Sequence, residues 1–282
     1  MRRVMEAAYA KVNLTLTVTG RRADGYHTIE SLFQSVSLCD KLTLEQRERG
    51  FWLNETAGIP AEENIITRAD RLLRREFPNL GGVAVTLEKN IPTQAGLGGG
   101  STDAAAYLRG MDRLYGLGLG REGLRALAAE LGADVPFCLR GGTMLAQGIG
   151  EELSLLPDMP HCWVVLCKPP FAVPTKEVYQ EIDSVDILEH PDNKGMMAAL
   201  NQGDYEGVCA YLSNVMETVT AAKRRQIGEI KSFLAENGAD GTLMSGSGPT
   251  VYGLFSDESR AKTAAKMLRR RFADTFLTET CN

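Results

Sequence analysis

The sequence predicts an α+β fold in two domains, on three observations. Runs of period two and runs of helical period are mixed along the chain without the strict alternation of a doubly wound sheet. At 282 residues the chain exceeds the usual single-domain size. Leu156–Pro160 (LPDMP) holds two prolines in five residues and reads as a linker, dividing the chain into 1–157 and 158–282.

The first element alternates Val12, Leu14, Leu16 and Val18 with Lys11, Asn13, Thr15 and Thr17, which predicts a strand with one buried and one solvated face. An Asp24-Gly25 turn signal follows within Gly20–His27. Strand-like runs cover Thr28–Leu44, Phe51–Asn54 and Val83–Glu88. Residues 64–77 place Ile65, Ile66, Ala69, Leu72, Leu73 and Phe77 at helical spacing. A helix carrying Ala104, Ala105, Leu108, Met111 and Tyr115 is expected from about Ser101, capped by that serine. Another covers 121–131 and is expected to stop at a left-handed Gly132. Thr143–Ile149 reads as a strand. The second half opens with a buried strand, Cys162–Lys168, and continues in helical stretches to about residue 236. A strand and loop at Gly241–Phe255, a helix at Glu258–Phe272 and a strand at Thr275–Thr280 complete it.

A net charge of −5 and a pI near 5.4 argue against nonspecific nucleic-acid binding, which needs a cationic surface. A local cluster of positive groups can still bind a phosphate. The six cysteines (39, 138, 162, 167, 209 and 281) form no C-x-x-C pair, so no zinc or redox motif is expected. The opening residues do not read as a signal peptide, and no stretch approaches the ~20 apolar residues of a membrane span. A cytoplasmic protein without a membrane partner is expected.

The segment Gly96–Thr102 (GLGGGST) has four glycines in its first five residues and precedes a helix whose unpaired N–H groups and dipole point back at it. Strand, glycine loop and helix in that order make an anion site; the alternative is a flexible surface loop. Walker A requires a lysine after the glycines, and none follows. The G-x-G-x-x-G dinucleotide fingerprint fails because Ser101 stands where its third glycine belongs. Read alone, Lys11 is a solvated charge, Asp134 a turn residue, Tyr26 and His27 a buried aromatic and a core histidine, and Gly246-Ser247-Gly248 a hairpin turn.

The loop resembles a third type. Pro92–Ala105 (PTQAGLGGGSTDAA) is similar to the P-x-x-x-G-L-G-[GS]-[GS]-[SA] signature of the galactokinase, homoserine kinase, mevalonate kinase and phosphomevalonate kinase superfamily. Ala10–Asn13 (AKVN) and Gly20–Glu30 (GRRADGYHTIE) resemble the N-terminal signature of the 4-diphosphocytidyl-2-C-methyl-D-erythritol kinase family. Leu131–Pro136 (LGADVP) and Leu243–Thr250 (LMSGSGPT) resemble its third and fourth motifs, whereas residues 180–235 carry no usable motif.

That resemblance implies a two-domain small-molecule kinase fold, with the active site in the inter-domain cleft and a ferredoxin-like C-terminal lobe. It implies ATP and Mg2+, and phosphorylation of the 2-hydroxyl of a cytidine diphosphate-linked methylerythritol. A mevalonate, phosphomevalonate or homoserine kinase would share the loop but has no reason for the Gly-Tyr-His step. By the same resemblance, Pro92, Gly96, Leu97, Gly98, Gly99, Gly100, Ser101 and Thr102 bind ATP, with Lys89 and Asn64 lining the nucleotide pocket. Lys11 and Asp134 are the catalytic pair, the lysine as active-site cation and the aspartate as base. Asn13, Tyr26, His27 and Thr175 meet the substrate, the Tyr-His step serving the cytosine. Asp103 departs from the asparagine alternative at its position; an acid in a first helical turn suits the dipole but sits awkwardly near phosphate. No carboxylate pair identifies metal ligands, and the chain is expected to be a monomer or homodimer.

Overall fold

The computed structural model describes residues 2–54, 58–185, 187 and 189–281. The chain forms two compact units, each discontinuous in sequence.

The first unit comprises Met1–Ala10, Cys39–Thr93 and Gly98–Arg140. Its strands belong to β1 (Arg3–Arg21), β2 (His27–Arg47), β3 (Phe51–Leu53) and β4 (Gly82–Glu88), in the order β3-β4-β2-β1. Lys41 to Arg47 of β2 run antiparallel to Glu88 to Gly82 of β4. Its helices are α1 (Ile65–Glu76), α2 (Gly99–Tyr115), α3 (Gly120–Leu131) and α4 (Val135–Arg140). The helical spacing in α1 buries Ile66, Ala69, Leu72 and Leu73 on one face, with Asn64 as its N-cap. Asp70 is buried on the same helix, and it is satisfied by Tyr107 Oη (2.7 Å) and Arg74 Nε (2.8 Å). Gly110 lets α2 lie against β2, since a β-carbon there would press on the Leu44 methyls.

The second unit comprises Lys11–Leu38, Gln94–Leu97 and Gly141–Asn282. Beyond its parts of β1 and β2 it contains β5 (Thr143–Gln147), β6 (Glu152–Leu155), β7 (Trp163–Cys167), α5 (Thr175–Ile182), α6 (Asn193–Gln202) and α7 (Tyr205–Ala210). There follow β8 (Ser213–Asn214), α8 (Met216–Lys223), α9 (Arg225–Glu236), β9 (Gly241–Met244), β10 (Val251–Phe255), α10 (Glu258–Arg269) and β11 (Thr275–Glu279). β7, β9, β10 and β11 form an antiparallel sheet of order β11-β7-β10-β9. With α9 and α10 as its crossings, this is the β-α-β-β-α-β ferredoxin-like pattern. Every residue of β10 is buried, and Ile227, Ile230 and Leu234 of α9 with Ala261, Ala264, Ala265 and Leu268 of α10 join its core.

Three local expectations are corrected. Both faces of β1 are buried: Lys11 is only 5% exposed and Thr15 fully enclosed, because Ser31 and neighbouring polar groups of β2 cover the face that reads as solvated. The helix expected at Ser101 begins at Gly99; its N-cap is Gly98 in the left-handed region (φ 70), so Ser101 lies inside the first turn and Asp103 beyond it. Gly132 ends α3 in an extended conformation (φ 168), leading directly into the short α4.

Candidate active site

In the first unit the glycine-rich segment delivers the start of α2. Thr102 N–H makes the first helical bond, to Gly98 O at 2.9 Å. The amides of Gly99, Gly100 and Ser101 therefore precede the helical ladder, and no side chain caps them. A left-handed Gly98 ahead of a 17-residue helix creates the geometry of an anion site.

Lys89 follows β4 and sits next to this turn: a β-carbon on Gly99 would lie 3.4 Å from its Nζ. The ammonium is shared between Asp40 and Asp103, the latter at 2.7 Å. Asp40 also accepts the N–H groups of Asn90 (2.5 Å) and Ile91 (2.8 Å), which fixes the chain entering the loop. Burial opposes charge on Lys89, but Asp103 and Asp40 outweigh it and move its pKa up. Asp103 is 3% exposed and its Oδ1 has no hydrogen-bond partner. Burial pushes its carboxyl up to about 8, against the pull of Lys89 and with the help of Asp40. Asn64 spends its Oδ1 on Ile66 N–H (3.0 Å) as the α1 cap. Asp134 is half-buried just before α4, its carbonyl accepting Cys138 N–H at 3.2 Å. Arg109 holds the far carbonyls of that helix, Cys138 O at 2.8 Å and Leu139 O at 3.2 Å.

In the second unit five predicted residues come together: Lys11, Asn13, Gly96, Leu97 and Thr175. Lys11 donates to Asn13 Oδ1 (2.9 Å), and its Nζ lies 4.4 Å from the Phe33 ring centroid. Asn13 Nδ2 donates in turn to Ser31 Oγ (2.9 Å). Lys11 N–H bonds to Leu97 O (3.0 Å), tying β1 to the glycine loop. Gly96 has φ 74, and a β-carbon there would collide with Ser245 O. The Ser245–Gly248 turn thus packs directly on the loop, with Ser245 Oγ donating to Gly96 O (2.8 Å). Thr175 reaches the same turn through Ser247 Oγ (2.9 Å).

His27 belongs to a separate group. Its ring stacks on Tyr179 (centroids 5.1 Å, 22°), and its Nε2 is 2.6 Å from Asp183 Oδ1. Tyr26 projects outward, 63% exposed. Sequence reasoning missed Asp40, Ser31, Tyr179 and Asp183. Asp40 had a signal, an acid inside the strand run SLCDKLTL; the others sit among residues that look ordinary until the chain folds.

Comparison with known proteins identifies the family. The family profile for the GHMP kinases N terminal domain matches residues 64–142, and that for the GHMP kinases C terminal matches residues 196–274. A protein of Enterococcus faecalis named 4-diphosphocytidyl-2-C-methyl-D-erythritol kinase is 42% identical over 98% of this chain and 99% of its own length. The chain belongs to the 4-diphosphocytidyl-2-C-methyl-D-erythritol kinase family. A member from Moorella thermoacetica is 44% identical over 97% of both chains. A crystal structure of a 4-(cytidine 5'-diphospho)-2C-methyl-D-erythritol kinase superposes with a TM-score of 0.87 at 35% identity, covering 99% of this chain and 100% of that one. As a member of this kinase family the protein is an ATP-dependent small-molecule kinase. Among the described residues no helix is long and apolar enough to cross a membrane.

Proposed function

We propose that the protein transfers the γ-phosphoryl group of ATP to the 2-hydroxyl of 4-diphosphocytidyl-2-C-methyl-D-erythritol. The observation that carries this reading is the buried Lys11–Asn13 pair on a strand whose Lys11 N–H bonds to Leu97 O. A lysine removed from water and aligned by Asn13 and Phe33 is a fixed cation for the oxygens of a transferring phosphoryl group. The new bond joins the substrate oxygen to the γ-phosphorus, the bond from that phosphorus to the bridging oxygen breaks, and ADP leaves. Asp134 takes or orients the hydroxyl proton. The loop from Pro92 to Thr102 holds the phosphates through backbone amides, with Lys89 and Asn64 lining the nucleotide pocket. Tyr26 and His27 bind the cytosine by stacking and edge contacts, and Thr175 and Asn13 meet the rest of the substrate.

Among the described residues no three His, Cys, Asp or Glu side chains are grouped to hold a metal ion, and Asp40 and Asp103 are engaged by Lys89. The residues fit magnesium carried on the ATP phosphates rather than in a protein cage. Bound that way, it neutralises charge on the phosphates. A cytoplasmic monomer or homodimer, functionally divided into 1–157 and 158–282, completes the proposal.

A coupled assay of ADP release with the cytidyl substrate, mevalonate and homoserine in parallel tests it. Release with the cytidyl substrate alone is expected; release with mevalonate or homoserine instead would transfer the protein to another kinase of the superfamily.

A further inference from the structure

The turn between β9 and β10 carries an unusual balance of donors and acceptors. Ser245 N–H is bonded to Thr250 O (2.9 Å) and Gly248 N–H to Ser245 O (2.9 Å). Among the described residues, the N–H groups of Gly246 and Ser247 donate no hydrogen bond, although both residues are buried. Buried amides left open in this way require a partner, and two adjacent ones in a turn with a left-handed Gly246 (φ 58) suit an anion.

Three carbonyls of the turn are held by the side chains of Asn214 and Thr220. Asn214 Nδ2 donates to both Met244 O and Gly246 O, each at 2.8 Å. Thr220 Oγ1 donates to Ser247 O at 3.2 Å. Asn214 Oδ1 accepts Met216 N–H (2.9 Å), so the whole amide is committed. The residue is itself anchored to the strand that bears Lys11 and Asn13: Asn214 pairs with Leu16, and Val215 N–H bonds to Leu16 O (2.9 Å). On the opposite side of the turn, a β-carbon on Gly246 would lie 3.4 Å from Gly96 O and 3.5 Å from Asn13 Oδ1.

We propose that Asn214 is a positioning residue for phosphoryl transfer, holding the carbonyls of Met244 and Gly246 so that the amides of Gly246 and Ser247 face a phosphoryl oxygen bound beside Lys11 and Asn13. The inference rests on the kinase reading given above. Released from Asn214, the Gly246 peptide is free to turn its carbonyl toward the anion, replacing attraction by repulsion. Donors fixed before the reaction begins are worth most where charge develops on the transferring group.

The test uses Asn214→Asp, close in shape, which keeps the acceptor for Met216 but sets carboxylate oxygen against two carbonyls. Turnover per folded molecule, KM for the cytidyl substrate, and the affinities for ATP and ADP are measured on the full chain. The expected result is a fall in kcat of about tenfold or more, a reduced preference for ATP over ADP, and a KM within about threefold of the parent. A purely structural asparagine would lower thermal stability and leave both kcat per folded molecule and the ATP-to-ADP ratio unchanged, and that outcome overturns the proposal. Should Asn214→Asp fail to fold, Thr220→Val decides: it loosens the same turn at Ser247 O, and an unaltered kcat and nucleotide preference would reject the idea. A parent enzyme that releases no ADP with the cytidyl substrate would remove the kinase reading alone, since the nucleotide ratio still reports on Asn214.

Discussion

The roles proposed for single side chains should separate cleanly. Asp134→Asn preserves shape while removing the carboxylate, so kcat should fall far more than KM rises; a steady-state assay with unchanged kcat would take Asp134 out of the mechanism. Tyr26 is exposed, so Tyr26→Ala should leave folding intact while weakening the cytidyl substrate by about 1–3 kcal/mol, the range for base stacking. Calorimetric titration should find ATP affinity nearly unchanged. Asp103 gives a pH prediction. Its folded pKa of about 8 lies above its ordinary 3.8, so the folded state holds the extra proton between those values. Its contribution to stability is complete below about pH 4 and is lost as pH rises through about 8. Melting temperature should therefore decline between about pH 4 and pH 8 more in the parent than in Asp103→Asn, and parallel declines would contradict the assignment. These residues were legible to different degrees. Lys11 and Asp134 stand in recognisable motifs, but the burial of Lys11 was not readable, because a Lys-Asn-Thr-Thr face looks solvated until Ser31 covers it. The sharing of Lys89 between acids 49 and 14 residues away has no local signature at all.

At the scale of elements, periodicity served well where one face is apolar: α1, β4, α10 and β11 lie within a few residues of their expected bounds. It misjudged the entry to α2, since Ser101 has the chemistry of a cap while the glycines before it have the freedom to extend the helix by two residues. The loop's tolerance can be probed at Gly96. An alanine there would suffer both a positive φ and a collision with Ser245 O, so Gly96→Ala should weaken ATP binding and lower stability, by about 1–3 kcal/mol from the backbone strain alone. Equilibrium unfolding and nucleotide titration of the same variant would check both. Stability and affinity equal to the parent would mean that the loop is not held against the second glycine turn.

For the molecule as a whole, the α+β class and the ferredoxin-like sheet were readable, because strand and helix signals in the second half fall in the order that pattern needs. The discontinuous make-up of the two units was not, since nothing in a local window reveals that β1 and β2 each serve both. One hydrophobic cluster shows the result: Leu16 and Ile29 pack with Leu234, Phe255 and Leu268. Leu234 is fully buried there, and Leu234→Ala should cost about 2–5 kcal/mol in chemical denaturation without altering the ATP-to-ADP preference of the folded enzyme. The same cluster has a kinetic consequence. Leu16 is made some 250 residues before its partner Leu268, so the nascent chain must keep an unfinished core over that interval. Completion of that core is a closure across nearly the full length of the chain. Refolding from denaturant should consequently be slow for a protein of this size, and folding in the cell should benefit from chaperones that shelter its N-terminal strands.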